Sequence, residues 1–181
     1  MHKHPKHPRH RKQRHADELM QHRRWLARAE AVAKSSLSAG GSPHPSVKVG
    51  AVLVGRDGRE IAAASNRFAA GVDRRRPERY KDGSKSLWIN CAEQIALMQA
   101  LHKRADLKGA RLYITLEPCA VCAGLIGELH LKEVFVPVGA MRRYARLKSK
   151  WKESIEIGLI KLAEAGVRLT AIDARVSQKK R

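Results

Sequence analysis

A chain of 181 residues is long enough for one domain with a proper core and too short for two of ordinary size. With 37 Lys+Arg against 17 Asp+Glu the formal net charge is +20, a field that draws polyanions and makes nucleic acid or phosphorylated molecules the natural partners, beside the plainer reading of a basic surface that keeps the protein in solution. No apolar run is long enough to span a bilayer, no apolar segment follows the N-terminal charges, and three cysteines cannot all pair, so a cytoplasmic protein without a membrane partner is expected rather than a secreted disulfide framework.

Met1 to His15 is a low-complexity run of His, Lys, Arg and Pro that cannot bury enough surface to offset the entropy of ordering. A disordered basic arm is therefore expected over 1–16, a single domain over 17–173 and a basic tail over 174–181. The arm reads as a flexible grip on phosphate backbones, as a dispensable tail, or as a histidine cluster for metal, the last weakened by prolines that break any fixed ligand spacing.

Asp17 reads as an N-cap, and Leu19, Leu26, Ala29, Ala33 and Leu37 recur at helical spacing up to Gly40-Gly41. Val47 to Val54 is β-branched and apolar enough for a central strand, and the Asp57-Gly58 turn before Glu60–Ala64 predicts a hairpin. Asn66 to Trp88 is a long connection rich in arginine, and connections of that length are usually functional or disordered. A helix is expected from Cys91 to about Lys108-Gly109, a strand over Arg111–Leu116, a helix from Pro118 to about His130 and a strand over Glu133–Val138. A basic stretch follows Gly139, then a helix from about Trp151 to Gly166 and a strand over Val167–Ile172. A hairpin followed by alternating helix and strand predicts a three-layer α/β/α sandwich around a mixed five-stranded sheet.

All three cysteines fall inside two motifs, Cys91-Ala92-Glu93 and Pro118-Cys119-Ala120-Val121-Cys122. Three thiolates with an open fourth position suit one catalytic Zn²⁺ per subunit, and a glutamate beside one of them is a general acid/base that a structural site has no use for. Pro118 suits the first position of a helix, which sets Cys119 and Cys122 on one face at i and i+3. Residues i and i+2 diverge within a helix, so Cys91 and Glu93 share a site only if Cys91 starts its helix and the metal lies off that end. This combination is the pattern of zinc nucleobase deaminases. In that chemistry zinc acidifies a water, Glu93 moves its proton to the ring nitrogen, and the ring amine leaves as ammonia.

Other readings of the cysteines are less complete. A dithiol redox motif would leave Cys91 and Glu93 without a role. A closed structural zinc would need His102 or His130, each eleven residues past a ligand cysteine and so roughly 16 Å along a helix axis.

On these residues the chain resembles the cytidine and deoxycytidylate deaminase superfamily from about Leu19 to Ile172, which implies a cytidine deaminase-like fold and a homo-oligomer. Val47–Val54 is similar to the strand before the zinc motif, and Asn66 matches an asparagine that contacts the substrate sugar. The resemblance implies that Val47 and Ala92 line the same pocket. Thr115 to Gly124 is similar to the second motif of bacterial tRNA adenosine deaminases, whereas the Gly71-Val72-Asp73 loop and the helix carrying Trp151 and Ser154 resemble deoxycytidylate deaminases. Cysteine at position 91 departs from both, which usually carry histidine there. Three thiolates on Zn²⁺ leave a charge of −1, so a compensating cation or donor near one sulfur is expected.

The expected substrate is the cytosine of a (deoxy)cytidine nucleotide, with Arg67, Arg142 and Arg143 as candidate phosphate or nucleic-acid contacts. One phosphate needs two or three cations and a polymer uses a track of them, so RNA or single-stranded DNA is the alternative substrate, with cytosine or adenine as the base. A non-catalytic zinc protein that binds nucleic acid is the alternative of another class.

Overall fold

The computed structural model describes residues 8–81, 85–143 and 149–173. Helix α1 runs from Pro8 to Lys34, so residues 8–16, expected to lack structure, are helical. Once Leu26, Ala29 and Ala33 are buried the helix is nucleated, and each further Arg, Lys or Gln toward the N-terminus adds a backbone hydrogen bond without a new nucleation cost. Pro8 stands first, where its missing N–H is no loss. Asp17 is not a cap: it lies within the helix and its Oδ1 accepts from Gln13 Nε2 at 3.0 Å. Residues 1–7 and the tail over 174–181 lie outside the described residues.

Strands β1 (Gly50–Val54) and β2 (Glu60–Ser65) form the expected hairpin, with Gly58 in the turn at φ 80°. The connection after Asn66 is built up from β3 (Arg67–Phe68), a 3₁₀ turn (Pro77–Tyr80), α2 (Lys85–Trp88) and β4 (Ile89–Asn90). β3 and β4 pair antiparallel and close this lobe at its base. Helix α3 (Ala92–His102) ends six residues or more before the expected stop, because Arg104 turns left-handed at φ 52° and the N–H of Ala105 returns to the carbonyl of Ala100 at 3.1 Å. Then come β5 (Arg111–Ile114), α4 (Ala120–Glu128), β6 (Glu133–Pro137), α5 (Ala140–Arg143), α6 (Ser149–Glu164) and β7 (Arg168–Ile172).

The main sheet is five-stranded in the order β2-β1-β5-β6-β7. Its first half is antiparallel and its second half parallel, so it is mixed, and helices cover both faces. Alternation along the strands divides the core. Ala51, Leu53, Leu112, Ile114, Val134 and Val136 pack with residues of α3, α4 and α6. Val52, Val54, Tyr113, Phe135 and Ile172 turn the other way, onto Leu26 and Ala29 of α1.

Candidate active site

The site forms where two helices begin. Cys91 is the N-cap of α3, in extended conformation at φ −65° and ψ 149°, and its N–H donates to Gln94 Oε1 at 2.9 Å. Cys119 is the N-cap of α4 at φ −70° and ψ 168°. Pro118 therefore lies just outside the helix rather than in its first turn. This suits proline equally well, because no helical hydrogen bond is required of it there. Cys122 remains three residues on, over the same end. The three sulfurs lie within 4.8 Å of one another. Thiolates around a tetrahedral zinc at 2.3 Å are about 3.8 Å apart, so the set closes on such an ion with small side-chain adjustments.

Electrostatics points the same way. Cys119 and Cys122 are buried and Cys91 half-buried. Hydrogen bonds from Cys122 and Cys91 hold the Cys119 thiol well below its ordinary range, while Cys91 and Cys122, sharing their hydrogens with Cys119, are pushed up. One thiolate is thus stabilised and a second resisted; a divalent cation is what allows all three to ionise together. Among the described residues no other His, Cys, Asp or Glu joins this group, and His102 bonds the carbonyl of Met98 at the far end of α3.

Glu93 is buried at 4% exposure in the first turn of α3. Burial pushes its carboxyl up to about 7, against the pull of its own backbone amide and of Cys122. A cation on the sulfurs would pull it lower again. A second acid lies two residues before Cys119: Glu117 Oε2 is buried with no hydrogen-bond partner among the described residues. Such an orphaned acceptor calls for a donor from a ligand or from water. The motif reading passed over it because only the cysteines and Glu93 carried a defined ligand pattern.

The segment leading into β1 is tied down by side chains. Asn66 is buried, its Oδ1 accepting from the N–H of Val49 at 2.8 Å and its Nδ2 donating to the carbonyl of Val47 at 3.0 Å. His44 Nδ1 accepts from the N–H groups of Ser46 and Val47, at 3.2 and 2.8 Å. With these backbone groups engaged, the strand expected from Val47 begins only at Gly50. Asn66 keeps one donor hydrogen and one acceptor position for other partners. Its placement follows from pairing: Arg67 is opposite Asn90 and Phe68 opposite Ile89, so one more step of the register sets Asn66 across from Cys91. Ala92 is fully buried beside that cysteine. His44 had no signal in the loop Ser42–Ser46 beyond its identity.

Helix α6 locks the second motif from outside. Ser154 Oγ accepts the N–H of Ala120 at 3.2 Å, and Lys161 Nζ donates to the carbonyl of Ala120 at 3.2 Å. Between them Gly158 lies against the motif backbone: a Cβ there would stand 2.5 Å from the carbonyl oxygen of Pro118 and 3.1 Å from the carbonyl carbon of Cys119. Only glycine lets the helix approach so closely. Lys161 also brings a positive charge to the first turn of α4. Arg142 is exposed on α5, the short helix that follows β6, whereas the side chain of Arg143 lies outside the described residues.

Residues 20–138 match the family described as the cytidine and deoxycytidylate deaminase zinc-binding region. The chain belongs to this family. Mouse deoxycytidylate deaminase is 33% identical over 108 residues, covering 57% of this chain, which spans only 60% of the mouse protein. A protein of Aliivibrio fischeri described as an uncharacterized deaminase is 28% identical over 129 residues, 71% of this chain and 82% of its own length. The crystal structure of dCMP deaminase from the cyanophage S-TIM5 shares the fold, with a TM-score of 0.57 and 19% identity over 82% of this chain and 96% of that one. Both cysteine motifs and Asn66 fall inside the matched family region, while the α6 clamp lies beyond it.

Proposed function

We propose that this chain is a zinc-dependent hydrolytic deaminase acting on the cytosine of a (deoxy)cytidine nucleotide, with Cys91, Cys119 and Cys122 holding one catalytic zinc per subunit. The observation that carries the reading is the convergence of three sulfurs within 4.8 Å on two helix N-termini, with a buried carboxyl two residues from one of them. When bound, zinc supplies the Lewis acidity that makes water a nucleophile at neutral pH. Glu93 accepts the proton of the attacking water, delivers it to the ring nitrogen, and returns a proton to the departing amine, so that water and cytosine give uracil and ammonia. Asn66 and Val47 shape the pocket wall toward the sugar, Ala92 leaves room beside Cys91, and Arg67 and Arg142 supply positive charge for phosphate. The relatives named deoxycytidylate deaminase support the nucleotide as substrate class.

Three free thiols fit a reducing, cytoplasmic setting. No helix among the described residues is long and apolar enough to cross a membrane. Self-association belongs to the same proposal, supported by exposed Met98 and Leu101 on α3 and Val121 and Leu125 on α4. The deciding experiment is ammonia release by the zinc-loaded chain from dCMP, CMP, cytidine and their adenine counterparts. Turnover of dCMP or CMP well above cytidine is expected. A zinc-loaded, folded protein that releases ammonia from none of them, nor from tRNA or single-stranded DNA, would remove the enzymatic reading and leave the zinc-bearing binding protein.

A further inference from the structure

A cleft of about 620 Å³ opens beside the candidate active site, between the turn that ends α1 and the segment that follows Asn66. Its walls include Leu37, Pro43, Arg67, Phe68, Arg74 and Arg75, and none of Cys91, Glu93, Cys119 or Cys122 lines it. It is therefore a second chamber, yet it begins one residue from Asn66. Its volume lies within the range of small-molecule sites and is far more than one phosphate fills.

Its charge is unbalanced. The single acid in the wall, Asp73, is engaged by Arg75 at 3.2 Å and Arg76 at 3.7 Å and accepts the Arg75 N–H at 2.9 Å. Among the described residues Arg67 and Arg74 have no carboxylate partner. The guanidinium of Arg67 lies over Gly40, its Nη1 3.6 Å from where a Cβ would stand. Two uncompensated guanidinium groups in one cleft call for an anion.

The remaining lining decides which anion. Phe68, mostly buried and held edge-on by Tyr80 at 5.4 Å between ring centroids, lines the cleft together with Leu37 and Pro43. A free phosphate or polyphosphate has no use for such surface, whereas a nucleotide does. The loop is also set in advance: Tyr80 donates to the carbonyl of Arg74 at 2.8 Å, and Arg79 donates to the carbonyl of Asp73 at 2.6 Å while stacking on Trp88 at 4.3 Å. The whole chain carries +20.

We propose that this cleft seats the nucleotide adjoining the target in a single-stranded oligonucleotide, with Arg67 and Arg74 on the connecting phosphodiester, so that cytosine is deaminated within a strand as well as in a mononucleotide. The proposal rests on the deaminase reading above for the occupant of the neighbouring zinc site, but not for its binding test.

That test uses the full zinc-loaded chain. Fluorescence anisotropy with a labelled hexathymidylate, which carries no cytosine, measures strand binding without turnover, and its dependence on Arg74 reports the cleft; ammonia release from cytidine, from dCMP and from a hexanucleotide with one central cytosine, in deoxy and ribo forms, measures the coupled function and tells DNA from RNA. Arg74→Glu is expected to weaken hexathymidylate binding and raise KM for the strand about tenfold, to flatten the salt dependence by about one counterion, and to leave kcat/KM for cytidine, which carries no phosphate, within about twofold. Arg74→Gln gives a smaller shift in the same direction, which separates lost contact from introduced repulsion. Arg74-independent binding, or full displacement by equimolar tripolyphosphate, overturns the proposal while dCMP turnover stands. Arg74-dependent binding without ammonia from any substrate does the reverse: it sinks the deaminase reading and leaves the cleft.

Discussion

Each face of the sheet buries a polar cluster, one under α3 and α4 and one under α1. Under α3 and α4 the three thiols and Glu93 have mainly one another for partners, and their protons are strained toward unequal sharing. Under α1, His22 Nδ1 meets the Tyr113 hydroxyl at 3.0 Å, His22 stacks on Phe135 at 4.1 Å, and Tyr113 stacks on Phe135 at 4.7 Å. Glu133 on the same face accepts from Thr170 Oγ1 at 2.6 Å. The aromatic cluster satisfies its polar groups internally, whereas the thiol cluster brings together three groups that ionise together only around a cation. Burial of polar groups alone marks neither as functional; a donor set that suits a cation does.

The largest effect that can break this comparison is chemical. Glu93→Gln keeps the volume and the hydrogen-bonding shape but cannot carry a proton. We expect kcat for the best nucleotide to fall about 10³-fold, with a full zinc complement and an unchanged melting temperature, read by ammonia release, metal analysis and calorimetry. Activity at the parental level in the folded, zinc-loaded variant would sink the assignment of Glu93.

Next in size is the clamp from α6. Gly158→Ala drives a methyl into the carbonyl oxygen of Pro118, and backbone on both sides leaves little room to yield. A loss of about 2 kcal/mol in urea unfolding is expected, together with faster loss of zinc to a chelator. Gly124 on α4 is the internal control, since a Cβ there meets only Lys161 Nζ at 3.7 Å. Gly124→Ala should stabilise the chain by up to about 1 kcal/mol through helix propensity alone. Equal outcomes for the two glycines would show that α6 does not grip the motif.

These cases also show what could be read from the chain in advance. The convergence of Cys91, Cys119 and Cys122 was legible because each motif opens a helix, where short spacing dictates direction. The hairpin and the βαβ half were legible from strand composition and turn residues for the same local reason. Ser154, Gly158 and Lys161 were not, since their partners lie more than thirty residues away and no short pattern carries the contact. The His22–Tyr113 pair spans 91 positions and was invisible on the same ground. Helix ends erred where tertiary contacts outweighed propensity: α1 grows back to Pro8 from its packed centre, and α3 stops at His102 because its chain must turn into β5. The arginines of the long connection were noticed, but only pairing of β3 with β4 turns that connection into the wall of a cleft.

On the α1 face the expected effects are smaller. Tyr113→Phe leaves the stack with Phe135 intact and removes only the hydroxyl that meets His22. The cost is about 1 kcal/mol of unfolding free energy, with zinc content and turnover unchanged. A change in zinc affinity would mean that the two faces communicate through β5, on which Tyr113 and the thiol face alternate.

The smallest effect is the pH dependence of that same face, and its sign follows from two shifts. Burial lowers the pKa of His22, with Arg111 adding to the fall and Glu18 and Glu133 opposing it, so the folded chain holds the histidine proton less tightly than the unfolded chain. That stabilisation is whole above the unfolded value near 6.5 and is lost as pH falls through the folded one. Tyr113 is shifted the other way, pushed up to about 12 chiefly by burial, so its contribution is whole below about pH 10 and is lost as pH rises toward 12. Urea unfolding of the zinc-loaded chain between pH 5.5 and 7.5 should therefore show an acid slope that His22→Gln reduces, because glutamine can still meet the Tyr113 hydroxyl but cannot titrate. Acid also protonates zinc-bound thiolates and weakens metal binding. That contribution is common to both proteins, so the difference between their slopes isolates the α1 face, and identical slopes would place the whole acid sensitivity at the thiol cluster.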